Sequence, residues 1–477
     1  MSPAPTHINN FEEAIGYFEY LSNPKARKDG NTKIFAGGVL TPDTAIAKQT
    51  RFLELIGNPH LKIKMINIAG TSGKGSTTKI LADSLISQGF KAGSSFSPHL
   101  VDLTDRIQIN GEPISQELFL SYLNQILPAI TQMQQENMQP SYFETLTALQ
   151  FLVFADQKVD YAVMEVGMGG RLDATNVFVP NKICVLNSIG LDHTVWLGDT
   201  LELIANEKAG IIQKNNLVVA LSQSKGVNMV FDQKAKLENA DMDWVVPDLD
   251  FYGVSQHGGK VYFDYMDNEM NEQQIVIGML GKYQATNGSL ALRTLETIAD
   301  RDEWEINWDN LKTKLITTKF KGRFDVWNQS CGDVDGISDR IIVIDSAHNQ
   351  SKINGFMTSL VEYYDTQTKF ENSFQFDFLV GFKMDKDYCT ILDEILIHKN
   401  HISQLILTEF IVSQDSKIVA QDIDQIAQYL DSVGFDNYIK IKNHQMAWQY
   451  VLDNKKNTVV TGSMYLVGSI YKIFSGF

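Results

Sequence analysis

Hydrophobic residues along this chain follow two rhythms. Short unbroken apolar runs, Met65 to Ala69, Tyr161 to Val166 and Ile183 to Asn187, read as strands buried on both faces of a parallel sheet. Between them, Ile80, Leu81, Leu85 and Ile86 recur at helical spacing and predict a helix from Ser76 to Phe90, and a second is predicted from Phe143 to Phe154. Near the N-terminus, Phe11 to Leu21 predicts an amphipathic helix. Asn23 to Thr44, broken by Pro24, Gly30, Gly37, Gly38 and Pro42, predicts a long loop. The rhythm is lost from Val218 to Ile277, where Tyr252, Val254, Val261, Phe263 and Tyr265 predict short antiparallel strands attached to the first domain. A helix from Gln284 to Ile298 and a polar stretch from Asp300 to Asp309 follow.

Beyond about Lys319 a second alternation begins. Strands are predicted at Ile341 to Ile344, Phe376 to Val380, Leu405 to Thr408, Tyr438 to Ile441 and Thr458 to Thr461. Helices are predicted at Lys352 to Tyr364, Asp387 to Lys399, Ile418 to Val433 and Met464 to Phe474. The expected class is α/β: a parallel-sheet domain with a small β insert over residues 1–318, then a smaller Rossmann-like α/β domain over 319–477.

Bulk properties narrow the function. At 477 residues the chain exceeds what one core normally holds. Its 41 basic and 57 acidic residues leave a net charge of −16. That excludes broad, non-specific binding to nucleic acid or anionic membrane, yet permits a locally basic pocket for a small anion. Cys184, Cys331 and Cys389 stand far apart, which argues against a disulfide framework or cysteine zinc site and fits a reducing cytoplasm. Met1 to Gly16 has no basic-then-apolar leader pattern, and no apolar run reaches bilayer length.

The sharpest chemical feature is Gly70-Thr71-Ser72-Gly73-Lys74-Gly75-Ser76-Thr77, set between the first strand and its helix. A glycine turn at a helix N-terminus brings backbone N–H groups and the positive end of the dipole to phosphate oxygens. Lys74 adds charge on the outer phosphates, and the hydroxyl of Ser76 or Thr77 can reach magnesium. A dinucleotide turn or a plain structural turn remains the alternative on this segment alone. Ser97, forced extended by Pro98, can face the same phosphates or sit in a polar turn. Glu165 ends an apolar strand at the crevice edge, where its oxygens suit magnesium or merely mark the strand end. Arg171 and Asp173 follow on a glycine-rich loop, as substrate contacts or a surface pair. His193 follows the next strand, beside Asp192, and Lys208 lies among the small residues Ala205, Ala209 and Gly210. Each is a metal-site candidate or an ordinary surface residue. Arg323 and Asp345 offer a guanidinium and a strand-end carboxylate from the second half, or a structural ion pair.

Taken together these stretches resemble the bifunctional folylpolyglutamate synthase/dihydrofolate synthase family of the Mur ligase superfamily. The matching segments are AGTSGKGST, FSPHLVDLTDRIQINGEPIS, YFETLTALQFLVF, VMEVGMGGRLDATNV, IGLDHTVWLGDTLELIANEKAGII, GKYQATN, GRFDVW and DSAHNQ, with TGSMYLVGSI near the end. The resemblance implies a P-loop-containing ATPase domain followed by a glutamate ligase domain. Gly70, Thr71, Gly73, Lys74, Gly75, Ser76 and Thr77, with Asn287, Arg323 and Asp345, match positions at ATP, and His348, in the same motif as Asp345, is implied to line the nucleotide or the glutamate site. Ser97, Glu165 and His193 match ligands of magnesium, two ions being implied. Lys208 matches a lysine carbamylated by CO2. Ser141, Tyr142, Phe143 and Glu144, with Leu172, Asp173 and Ala174, match segments that hold the pterin-bearing substrate. Lys74, His193 and Lys208 are implied to be catalytic. Gln350, Gly288 and Ser72 depart from the family pattern without removing a charged or ligating group. The polar insert near Ser330 to Arg340 and the N-terminal loop have no counterpart.

The implied activity is ATP-dependent addition of L-glutamate to a folate, to dihydropteroate, or to both, through an acyl phosphate, by a cytoplasmic monomer using neither nucleic acid nor membrane. A Mur ligase acting on a UDP-muramyl precursor is the nearest rival, and it calls for a uridine-binding N-terminal domain where 69 residues precede Gly70. A non-catalytic nucleotide-binding protein is the other rival. A dehydrogenase would need G-x-G-x-x-G in the turn, which is lacking.

Overall fold

The computed structural model describes residues 4–22, 42–329, 340–367, 374–384, 386–413 and 417–475. Eight strands form the first sheet: β1 (Met65–Ala69), β2 (Ala92–Ser95), β3 (Ile107–Ile109), β4 (Glu112–Pro113), β5 (Tyr161–Glu165), β6 (Ile183–Leu186), β7 (Leu217–Leu221) and β8 (Asp241–Val245). Their order is β4-β3-β2-β5-β1-β6-β7-β8, parallel from β2 to β8, with β3 and β4 antiparallel at one edge. Every residue of β1, β5 and β6 is buried, because helices cover both faces. Ile66, Ile68, Val163 and Val185 face helices Lys74–Ser87 and Tyr283–Asp302. Met65, Ala162 and Met164 face helices Gln116–Gln135 and Tyr142–Asp156, and Phe18 of helix Phe11–Ser22 closes that core.

A three-stranded antiparallel sheet, β9 (Phe251–His257), β10 (Lys260–Met266) and β11 (Glu272–Ile277), packs Phe263 and Ile277 on helix Tyr283–Asp302. The last sheet comprises β12 (Asp325–Gln329), β13 (Arg340–Ile344), β14 (Phe376–Val380), β15 (Ile402–Glu409), β18 (Tyr438–Asn443) and β19 (Thr458–Thr461), in the order β12-β13-β19-β14-β15-β18, with only β12 antiparallel. Separately, β16 (Ile411–Ser413) and β17 (Lys417–Val419) pair antiparallel. No helix of the described residues is long and apolar enough to cross a membrane.

Four expectations need correction. Val218 to Ile277 is not wholly an antiparallel insert: β7, helix Lys225–Glu238 and β8 extend the parallel sheet, and the insert is confined to β9–β11. Helix Lys225–Glu238 buries only Val227, Phe231 and Ala235, and β8 is an edge strand with little burial, so neither shows a strong apolar pattern. The helix expected from Ile418 starts at Ile423, where the Asp422 side chain accepts from the Asp424 amide, while Lys417–Val419 pairs as a strand. Helix Tyr283–Asp302 runs into the polar stretch, and Asn307 caps a further helix, Trp308–Thr317. Most of the predicted N-terminal loop, 23–41, and the polar insert, 330–339, lie outside the described residues, and a helix starts at Pro42 inside that loop.

Candidate active site

The phosphate-type turn is held by sequence-local and distant contacts. Gly73 caps helix Lys74–Ser87 with φ +82°, a left-handed conformation that disfavours any side chain. A Cβ there would stand 2.6 Å from Asn187 Nδ2 and closer still to Asn287 Oδ1. Those two side chains form a buttress: Asn187 Nδ2 donates to Thr77 Oγ1 at 2.8 Å and to Asn287 Oδ1 at 3.1 Å. The Thr71 amide donates to Ser188 O at 2.7 Å. Lys74 Nζ donates to Gly70 O at 3.1 Å and lies 3.8 Å from Glu165.

Glu165 closes β5 and is buried, accepting from the Ser97 amide at 3.1 Å. Burial raises its pKa, with Lys74 opposing. Ser97 Oγ is buried, and among the described residues it has no hydrogen-bond partner. His193 takes a left-handed backbone at the start of a one-turn helix, with 47 % of its side chain exposed. Desolvation in the cleft lowers its pKa to about 4, Asp192 opposing and Lys386, Lys74 and Lys208 adding to it, so the imidazole is neutral at physiological pH. Lys208 is buried and donates to Gly70 O at 2.9 Å. Burial first, then Lys74, lowers its pKa to about 7.

The C-terminal sheet supplies the facing wall. Asp345, just past β13, accepts from the amides of Phe324 at 2.7 Å and Ala347 at 2.8 Å. Burial raises its pKa against the pull of Arg323. Phe324 carries φ +45°, unusual for a bulky residue, and that conformation aims its N–H at Asp345. His348 Nδ1 contacts Ser346 O at 2.8 Å and its Nε2 lies 3.2 Å from Lys352 Nζ. Asp192 ties the two walls together: it accepts from Asn349 Nδ2 at 3.1 Å and Lys386 Nζ at 3.0 Å. Although burial acts to raise it, Lys386, then His193 and Lys352, hold its carboxyl well below the usual carboxylate range.

One cavity of about 310 Å³ lies between these walls. Of the sequence candidates, Gly70, Thr71, Gly73, Lys74, Gly75, Ser76, Ser97, Glu165, His193, Lys208, Asn287, Arg323, Asp345 and His348 line it. Thr77 sits behind the turn, fully buried against Asn187. The seven pterin-segment residues lie outside this lining. Ser141 and Glu144 form a capping box, and Glu144 also pairs with Lys48 at 2.8 Å. Tyr142 packs edge-on against Phe18 and accepts from buried Arg106, and Ala174 is buried. Asp173 is spent on the Met168 amide and on Thr175. Phe143 and Asp173 nevertheless reach lining residues: the Phe143 ring fills the space a Cβ on Gly167 would need, and Asp173 holds the Met168 amide.

Sequence reasoning missed Asn187, Tyr283, Lys352 and Lys386 and saw Asp192 only as a neighbour of His193. Lys352 had a legible position in the first turn after DSAHN, but nothing local says that this turn faces Lys74. Among the described residues no three His, Cys, Asp or Glu side chains cluster as a ready-made metal centre. The wall instead combines Glu165, a neutral imidazole and the Ser97 hydroxyl with the cationic side chains of Lys74, Arg323 and Lys352.

Residues 68–295 match the family model of the Mur ligase middle domain, and residues 336–473 that of the dihydrofolate synthetase C-terminal domain. The chain is 30% identical over 443 residues to the dihydrofolate synthetase of Saccharomyces cerevisiae, covering 90% of this chain and 98% of that one. It is 28% identical over 484 residues to the folylpolyglutamate synthase of Lacticaseibacillus casei, covering 98% and 99%. Its fold matches that of Mycobacterium tuberculosis folylpolyglutamate synthase complexed with ADP and AMPPCP, with a TM-score of 0.77 at 26% identity, over 90% of this chain and 95% of that one.

Proposed function

The chain belongs to the folylpolyglutamate synthase/dihydrofolate synthase family of Mur ligases, and on that premise we propose that its cavity activates a carboxylate as an acyl phosphate. It is an ATP-dependent ligase that adds L-glutamate to a folate-type acid. A carboxylate is a poor acyl donor because its leaving group would be oxide. Attack of the acid's oxygen on the γ-phosphorus breaks the bond to ADP; attack of the glutamate amine on the carbonyl carbon then expels phosphate.

In this reading Gly70 to Thr77 cradle the phosphates, with Lys74 on the outer ones and Asn287 fixing the turn. Arg323, Asp345 and His348 hold the nucleotide from the opposite wall. Ser97, Glu165 and His193 are the residues that would hold magnesium, two ions being expected. The orphaned Ser97 hydroxyl, the carboxylate and the neutral imidazole fit that demand. Bound magnesium would supply charge neutralisation to the phosphates. Lys208 is read as the site of a CO2-derived carbamate, because burial leaves a large share of its amine neutral and nucleophilic near pH 7. The pterin-bearing acid is placed against Ser141 to Glu144 and Leu172 to Ala174, just outside the wall at Gly167. A division of the chain at 318/319, a monomeric state and a cytoplasmic location belong to the same reading.

The observation that carries this reading is the convergence of Lys74, Ser97, Glu165, His193 and Lys208 with Arg323 and Asp345 on one cavity. Purified protein given ATP, magnesium and labelled glutamate, with dihydropteroate in one arm and tetrahydrofolate in the other, tests it. Label should enter the folate product in at least one arm, with ADP and phosphate formed in step. ATP turnover independent of both acids would refute the assignment.

A further inference from the structure

Lys352 sits in the first turn of helix Gln350–Gln367 and lines the cavity from the C-terminal side. Its amide donates to Asn349 Oδ1 at 3.0 Å, which fixes that turn. Among the described residues no carboxylate pairs with its ammonium, which instead contacts His348 Nε2 at 3.2 Å. The nearby carboxylates are engaged elsewhere: Asp192 by Lys386 and Asn349, Asp345 by two backbone amides, Glu165 by Ser97 and Lys74.

Several forces act against an ammonium at this place. It is partly withdrawn from water, it lies at the positive end of a helix, and Lys74, Arg323 and Lys386 all act against its charge, with Asp192 alone opposing them among these neighbours. Loss of water, then Lys74, accordingly lowers its pKa to about 7. A cation held against such terms is one that an incoming anion must neutralise. Lys352 and Lys74 line the same cavity, one from the C-terminal wall and one from the glycine turn, so an anion bound in it lies between Lys352 and that turn.

We propose that Lys352 is a catalytic residue that pairs with the outer phosphate of ATP and stays with that phosphoryl group in transit. The proposal rests on the ligase reading above. The acid's oxygen forms the new P–O bond while the bond to ADP breaks and ADP takes its electrons. The glutamate amine then forms the C–N bond, phosphate leaves with the C–O electrons, and the nitrogen gives up a proton. Lys352 keeps its own proton throughout and balances charge from the wall opposite Lys74.

Calorimetric binding of ADP and of AMPPCP, each with magnesium, to the wild-type and Lys352→Met proteins tests this, beside steady-state ligation. Lys352→Met should weaken AMPPCP at least about tenfold, leave ADP within about twofold and lower kcat about 100-fold, and Lys352→Arg should restore most of each. The melting temperature of Lys352→Met should equal or exceed the wild-type value; were it to unfold, Lys352→Gln carries the same comparison. A raised KM for glutamate with unchanged AMPPCP affinity would assign Lys352 to the glutamate carboxylate and overturn the proposal. Equal weakening of ADP and AMPPCP, or no change in either, would overturn it too. Absence of glutamate-dependent ATP turnover in the wild type would instead sink the ligase reading, while the ADP–AMPPCP difference still reports on Lys352.

Discussion

Replacing Lys208 with methionine should separate catalysis from stability. The side chain keeps its length but loses an amine that is buried and pushed from 10.5 to about 7. At about 1.36 kcal/mol per pKa unit, holding that amine protonated in the folded chain costs on the order of 5 kcal/mol. Because the folded pKa lies below the unfolded one, the unfolded chain binds the extra proton between about pH 7 and 10. Wild-type stability therefore carries the full penalty below pH 7, gains through that window and is free of the penalty above it. Methionine removes the titration and forfeits the 2.9 Å bond to Gly70 O, worth about 1 kcal/mol. The variant should be the more stable protein at pH 6.5, and its advantage should shrink by about 1.4 kcal/mol per pH unit above pH 7. Denaturant unfolding of both proteins in CO2-free buffer from pH 6.5 to 9.5 measures this, with glutamate incorporation as the second readout. Incorporation should be nearly abolished. A stability difference that does not vary with pH would refute the electrostatic argument, and near-normal turnover would remove Lys208 from the metal-supporting role.

Gly73→Ala forces a side chain into a left-handed backbone at a cost of about 1–2 kcal/mol and into the Asn187–Asn287 buttress. AMPPCP affinity should fall more than about tenfold while the circular dichroism spectrum is unchanged; intact affinity would show that the turn does not cradle phosphate. Ser97→Ala deletes a buried hydroxyl that has no partner, so stability should stay within about 0.5 kcal/mol of wild type. The magnesium concentration for half-maximal activity should rise about tenfold, because one hard oxygen ligand is gone. An unchanged magnesium titration would take Ser97 out of the metal set.

Much of the fold was legible locally. The unbroken runs at β1, β5 and β6 marked doubly covered strands, and the five C-terminal strands β13, β14, β15, β18 and β19 lie where apolar runs predicted them. Legibility failed where burial is one-sided. Edge strand β8 and helix Lys225–Glu238 show water too much of their surface to write a strong pattern, and Asp422 reset a helix start that periodicity placed earlier.

By itself the sequence determined the α/β class, the glycine turn before a helix, and the set of groups able to meet a triphosphate, because strand burial, helix spacing and anion cradling are properties of contiguous residues. Only the tertiary structure decided that Asn187 and Asn287 brace that turn and that Asp192 spans two walls. It likewise decided that, among the described residues, the Ser97 hydroxyl has no partner and Lys352 faces the cavity across from Lys74 without a paired carboxylate. Those are relations between distant segments; Asp192 and Lys386, for one, are 194 residues apart. Desolvation and charge proximity act through space, so no local pattern along the chain can encode them.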